Sequence, residues 1–140
     1  MIISSKHAVL QAIFGVFDGH GGAKAAEFAA ARLGENILDH VGRVNGTKSD
    51  EQYEEKIRDG YLASDEEFLK ANSSSGVCCV TALIQDGQLM VSNVGDCRAV
   101  LSRGGIAEAL TNDHCPSRED EKTRIQSTVI IIWINLPYVS

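Results

Sequence analysis

The feature that most limits how this chain can fold is a series of short apolar segments joined by glycine-bearing pairs. Gly76 to Ile84 is almost continuously apolar, Asp86-Gly87 separates it from Leu89 to Val94, and Gly95-Asp96 leads into Cys97 to Ser102. Gly104-Gly105 then turns the chain into Ile106 to Leu110. Parallel neighbours need a crossover of about a dozen residues or more, so connections this short leave an antiparallel meander. Asp-Gly is also a strong hairpin signal, because tight turns need positive φ angles. Unbroken apolarity over Gly76 to Ile84 predicts a strand covered on both faces.

Ahead of the meander the period changes. Leu10 to Phe17 reads as a strand, ended by Asp18-Gly19-His20-Gly21-Gly22 with three glycines in five residues. An alanine-rich helix is predicted from about Ala23 to Val41, with Ala26, Ala30, Leu33, Ile37 and Val41 on one face. Gly34 within it costs about 1 kcal/mol relative to alanine. Gly42 to Ser49 reads as a polar loop. A second helix is predicted from about Asp50 to Ala71, with Tyr53, Ile57, Tyr61 and Phe68 on one face. Asn72 to Ser75 is a polar turn. Ser117, after Pro116 and three residues before Asp120, predicts the cap of a short helix to about Gln126. Helices followed by antiparallel strands make the fold class α+β.

The tail from Val129 has no alternation, no cap and no polar face. It reads either as a buried strand or as a segment foreign to the domain. Left uncovered, Val129 to Ile134 is an aggregation hazard.

Composition narrows the function classes. With 140 residues, 44% of them apolar and 23% charged, the chain has the balance of one soluble globular domain. Its 13 basic and 19 acidic residues give a net charge of −6, which argues against a nucleic-acid partner. Residues 50–70 hold eight acids against Lys56, Arg58 and Lys70. A solvated helix face is the plain reading, and a site for a basic partner is the alternative. The apolar run 129–134 falls far short of the roughly 20 residues of a membrane span, and no secretory signal opens the chain. Cys78, Cys79, Cys97 and Cys115 form no C-x-x-C pair, so they read as thiols of a reducing compartment, cytoplasmic or nuclear. The sequons at Asn45 and Asn72 are then coincidental.

The residues that point to chemistry are those of Asp18 to Gly22. Their glycines let a ligand approach the backbone, and the helix start that follows favours an anion. Asp18 is a hard oxygen ligand for Mg2+ or Mn2+, and a glycine carbonyl supplies a second. Histidine is the residue type that could move a proton near neutral pH, which makes His20 a candidate for proton transfer. The same residues equally describe an ordinary acidic turn with a solvated histidine, and taken alone they leave both readings open. Asp96 and Arg98 are expected to pair and pin their turn. His114 and Cys115 read as structural, since a hard-metal site does not select a thiolate.

Phe14-Gly15-Val16-Phe17-Asp18-Gly19-His20-Gly21-Gly22 resembles the first signature of the metal-dependent protein phosphatase 2C family. The resemblance continues in order through Gly76-Val77-Cys78-Cys79-Val80-Thr81-Ala82-Leu83, then Val91 to Val100 with Gly95-Asp96-Cys97-Arg98, then Leu110-Thr111-Asn112-Asp113-His114-Cys115-Pro116. Glu119 to Gln126 looks like the family's next helix. The paired cysteines and Gly60-Tyr61-Leu62-Ala63 look most like plant members. The resemblance covers about Leu10 to Thr128. It divides the chain into a non-family segment 1–9, a partial domain 10–128 and a non-family apolar tail 129–140.

For such a domain the resemblance implies an α-β-β-α sandwich, antiparallel sheets flanked by helices, with two Mg2+ or Mn2+ ions per complete domain. Asp18 corresponds to the carboxylate bridging the metals and Gly19 to a carbonyl ligand. A water activated by the metals attacks the phosphorus of phosphoserine or phosphothreonine, and His20 corresponds to the general acid that protonates the departing oxygen. Asp113 corresponds to an acid linked to a third metal site. The implied partners are phosphoprotein substrates, with no nucleic acid and no membrane, and the complete domain is monomeric. Two departures bear on activity. Met1 to Val9 contains no Asp, Glu or Arg where the family carries an acidic strand and a phosphate-gripping arginine, and no acid follows Glu121. Weak metal binding and an inactive isolated chain are therefore expected. The alternative is a non-catalytic fragment that acts only by binding partners.

Overall fold

In chain order the elements of the computed structural model are β1 (Ile2–Ser4), β2 (Gln11–His20), α1 (Lys24–Gly42), α2 (Asp50–Leu69), β3 (Gly76–Gln85), β4 (Gln88–Val94), β5 (Val100–Arg103), β6 (Ile106–Ala109) and β7 (Ile130–Asn135). The structure describes residues 2–4, 11–42, 49–85, 87–114 and 130–135. The short helix expected after Ser117 lies outside them. Two compact units emerge, Phe17–Val77 and Met1–Val16 with Cys78–Ser140. The fold is α+β with antiparallel sheets, as the sequence predicts.

The first unit is built on the two helices. Along α1 the buried positions are Ala25, Ala29, Leu33, Asn36, Ile37 and Val41. The predicted face is therefore right from Leu33 onward and one residue off before it. Ala26 is only partly covered and Ala30 is exposed. Six of the nine residues from 23 to 31 are alanines and carry no contrast among themselves, so packing rather than pattern chooses among them. Helix α2 buries Tyr53, Ile57, Gly60, Tyr61 and Ser64, while Phe68 meets Phe28 with ring centroids 5.3 Å apart. Its start is a capping box, with Ser49 Oγ accepting from Gln52 N at 3.3 Å and Gln52 Oε1 accepting from Ser49 N at 3.0 Å. Gly60 lies where the helices touch most closely, because a Cβ there would come within 2.7 Å of Ile37 Cα. Beside it the buried Asn36 amide donates to Ser64 Oγ at 2.9 Å, and that hydroxyl donates to Gly60 O at 2.9 Å. At the rim Arg32 reaches across to Glu67 at 3.2 Å.

The second unit is a five-stranded sheet in the order β1-β2-β3-β4-β7, with β5 and β6 forming a separate two-stranded sheet. Gln85 pairs with Gln88 at the β3–β4 turn, where Gly87 has φ +76. Arg103 pairs with Ile106 at the second hairpin, where Gly104 and Gly105 have φ +57 and +81. Both hairpins thus use the left-handed backbone that glycine permits. A buried hydroxyl pair, Thr81 Oγ1 and Ser92 Oγ at 2.6 Å, joins directly opposed residues. Val80, Val91 and Leu110 form a core cluster, with Leu89, Cys97, Ala99 and Leu101 packed on it. The tail of the sequence reading contributes β7, which runs antiparallel to β4 from Gln88↔Asn135 to Asn93↔Ile130.

The meander is interrupted between β4 and β5. The strand expected from Cys97 begins only at Val100. Residues 95–99 spend their hydrogen bonds on the loop instead, with Ala99 N donating to Thr111 Oγ1 at 3.0 Å and Leu110 N to Ala99 O at 2.9 Å.

Candidate functional site

Strand β2 ends in Asp18-Gly19-His20, so Asp18 and His20 occupy alternate positions and leave the strand on one side. Both are exposed. Three features of the first unit hold this end in place. Gly19 is confined, since a Cβ on it would lie 3.0 Å from Ala26 Cβ and 3.3 Å from Gly22 O. Gly21 and Gly22 then reverse the chain with φ +68 and +128, a backbone that L side chains rarely adopt. Finally, the segment before β3 closes against the turn.

That closing segment is Ser73 to Gly76. Ser75 Oγ accepts from Ala25 N at 3.1 Å, fifty residues away in sequence. An amide in the first turn of a helix has no partner within the helix, so Ser75 caps α1 from outside it. Ser73 Oγ lies 3.0 Å from Ser75 Oγ and fixes the cap in turn. The next residue, Gly76, lies against the outer edge of the His20 ring. The sequence predicts only a polar turn over residues 72–75, and the cap goes beyond that expectation. Only the serine run hinted at it, and nothing local says which amide a serine will reach.

Asp18 and Gly19 offer a carboxylate and an adjacent carbonyl, both hard oxygen donors suited to Mg2+ or Mn2+. They fit two positions of such a site. Among the described residues no group of three His, Cys, Asp or Glu side chains is close enough to hold a metal. Completing the coordination would fall to water or to donors beyond these two.

Asp113 lies in the second unit, where Arg98 grips it twice, Nε to Oδ1 at 3.0 Å and Nη2 to Oδ2 at 2.5 Å. This corrects the expected Asp96–Arg98 pair. Asp96 is exposed, and the arginine fork instead meets both oxygens of a carboxylate fifteen residues on. His114 has a structural role, its backbone N donating to Gly95 O at 2.9 Å and its Nδ1 accepting from Gly95 N at 3.3 Å. Cys115 lies outside the described residues.

The model of the protein phosphatase 2C family matches residues 2–130. The chain is 61% identical over 119 residues to Probable protein phosphatase 2C 2 of Arabidopsis thaliana, covering 84% of this chain and 30% of the relative. It is 57% identical over 116 residues to Probable protein phosphatase 2C 32 of Oryza sativa subsp. japonica, covering 83% and 29%. Among solved structures it resembles a sex determining protein of C. elegans, with TM-score 0.70 and 26% identity over 87% of this chain and 30% of that one. It likewise resembles serine-threonine phosphatase 2C from Toxoplasma gondii, with TM-score 0.66 and 25% identity over 82% and 44%. The chain thus spans about three tenths of the length of these curated relatives.

Proposed function

The chain belongs to the protein phosphatase 2C family, and from that premise we propose that it carries part of the active site of a metal-dependent protein serine/threonine phosphatase. The observation that supports this most is the Asp18–Gly22 turn, whose carboxylate, carbonyl and imidazole stand on one exposed strand end. Asp18 and Gly19 would hold Mg2+ or Mn2+. A divalent cation there supplies Lewis acidity toward a phosphoryl group. His20 donates a proton from a ring nitrogen to the oxygen that leaves with the substrate serine or threonine. The backbone of the glycine turn, opening α1, orients an anion toward the helix start. The substrates of this reading are phosphoproteins.

The isolated chain is proposed to bind metal weakly and to lack turnover. Two donors do not make a two-metal centre, and the described residues contain no cluster of three. That shortage also favours the second reading, a chain that acts only through partners. A Mn2+-dependent assay on a phosphoserine peptide, run on this segment joined to the remaining parts of a complete family domain and with Asp18→Ala as control, separates them. Turnover abolished by Asp18→Ala supports a catalytic chain. No turnover at saturating Mn2+ supports the non-catalytic reading, and turnover indifferent to Asp18→Ala removes this site from the reaction.

A further inference from the structure

We propose that Gly76 is the positioning residue for His20, its missing side chain being the seat on which the imidazole rests. The catalytic meaning of this seat rests on the reading of His20 as the proton donor. The seat itself is a matter of packing.

A Cβ built on Gly76 would meet three atoms first, and all belong to the His20 ring. Nε2 is in hard overlap, and Cε1 and Cδ2 lie 2.8 and 3.1 Å away. No backbone atom is among them. Gly76 is also absent from the glycines with positive φ, so its backbone is one that alanine adopts without strain. The two other tight glycines differ. At Gly60 the nearest atoms are the backbone of Ile37, and at Gly95 the backbone has φ +96. Glycine is unfavourable inside a strand unless another group must approach closely. Here that group is a single exposed side chain.

The consequence is orientation. An exposed histidine at a strand end samples several rotamers, and fixing one has an entropic cost at each turnover. Resting the outer edge of the ring on the first residue of β3 removes that freedom beforehand. Ser75, the neighbour of the seat, caps α1. The seat is therefore tied to the same turn that carries Asp18.

The test is NMR on the whole 140-residue chain. Cross-relaxation from the His20 ring protons to the Gly76 α-protons is expected in the unaltered protein. In Gly76→Ala the His20 ring resonances should move while those of His40, in α1, stay in place. His20 ring resonances that do not respond to Gly76→Ala would overturn the proposal. A double-mutant cycle gives the second readout. Because the atoms met are the outer end of an exposed side chain, the ring can swing aside and Gly76→Ala should lower the melting temperature only slightly, and that loss should vanish when the same change is made in His20→Ala. An equal loss in both backgrounds means that Gly76 serves something other than His20, and the proposal fails. Should Gly76→Ala alone not fold, recovery of folding in the double variant supports the seat and its absence refutes it. None of these readouts needs metal or turnover. Failure of the phosphatase reading would therefore appear in the peptide assay with the ring contacts intact, whereas failure of the seat would appear in the NMR whatever the assay gives.

Discussion

Two turns of this molecule start from similar ingredients and are put together in opposite ways. Asp18-Gly19-His20-Gly21-Gly22 ends β2 and turns out of it, Gly95-Asp96-Cys97-Arg98 follows β4, and each combines glycine with an acid. The first is held by parts that carry no formal charge, namely a serine cap, a close alanine and two left-handed glycines, and its carboxylate is exposed. The second is held partly by charge. Asn93 Nδ2 donates to Gly95 O and Asn112 O at 3.0 and 3.4 Å, His114 brackets Gly95, and Arg98 neutralises Asp113. A carboxylate beside a glycine turn is open to an external cation only where the protein has not already supplied one of its own. Among the described residues Asp18 meets that condition and Asp113 does not.

The largest effect should come from breaking this contrast directly. Removing even an outer partner of a metal ligand lowers affinity about 10–100-fold, so losing the ligand's charge should do at least as much. Asp18→Asn is expected to abolish Mn2+-induced broadening of the Gly19, Gly21 and Gly22 amide resonances. Asp113→Asn should leave that broadening intact. Equal sensitivity to the two substitutions would mean that Arg98 releases Asp113 and that the contrast is false.

Next in size are the two glycines whose tightness has nothing to do with chemistry. Gly60→Ala would gain about 1 kcal/mol of helix propensity. However, its Cβ would lie 2.7 and 2.9 Å from Ile37 Cα and N, and a helix backbone cannot rotate out of the way. We expect a net loss of about 1–3 kcal/mol, read from urea denaturation. Gly95→Ala meets both a left-handed backbone and the Cys78 side chain. Adding Cys78→Ala removes only the sulfur and should therefore restore only part of its loss, since the backbone strain and the contact with the Cβ of residue 78 at 2.7 Å remain. Full recovery would show that crowding alone makes this position glycine.

Much of this was legible in the sequence, and the rest failed for identifiable reasons. The helices and the two glycine hairpins follow from local periodicity and turn residues and lie close to where they were expected, whereas β2 runs on through Asp18-Gly19-His20, three residues past the predicted strand end at Phe17. The Ser75 cap and the Gly76 seat were not legible, because their partners lie fifty or more residues away and a serine or glycine carries no address. The partner of Arg98 was misjudged for a related reason. Nearness in sequence favoured Asp96, while the fork geometry of a guanidinium favoured the carboxylate that could receive both of its hydrogen bonds. The Ser49–Gln52 capping box is absent from the sequence expectations as well, although its local Ser-x-x-Gln pattern is a signal that could have found it.

A smaller effect concerns the stability of the second turn itself. Arg98 is 59% exposed and Asp113 22%, so solvent discounts the pair despite its two hydrogen bonds. Asp113→Asn should lower stability by about 0.5–1 kcal/mol, near the upper end for exposed ion pairs. The loss should shrink in high salt. A loss of several kcal/mol would mark the pair as the main support of the loop, sharpening its difference from the first turn.

The smallest effect belongs to the ion pair across the helices that carry the first turn. The hydrogen bond from Arg32 holds the Glu67 carboxyl below its ordinary range against some desolvation, with the charge of Arg32 adding to it. A carboxyl whose folded value is lowered contributes stability that is fully present above its unfolded value, near 4.3, and is lost as pH falls through the folded value. The side chains are 42% and 36% exposed, so the contribution is slight and salt-sensitive. Urea midpoints of the unaltered chain and of Glu67→Gln, followed from pH 7 down to pH 3, should therefore lie slightly apart at neutral pH. They should converge on the acid side, where the unaltered carboxyl is itself protonated. A gap that persists unchanged at pH 3 would mean that Glu67 acts by packing against its neighbours. The charge contrast between the helical unit and the Arg98–Asp113 loop would then be stronger, because the helices would hold the first turn without help from any ion pair at this position.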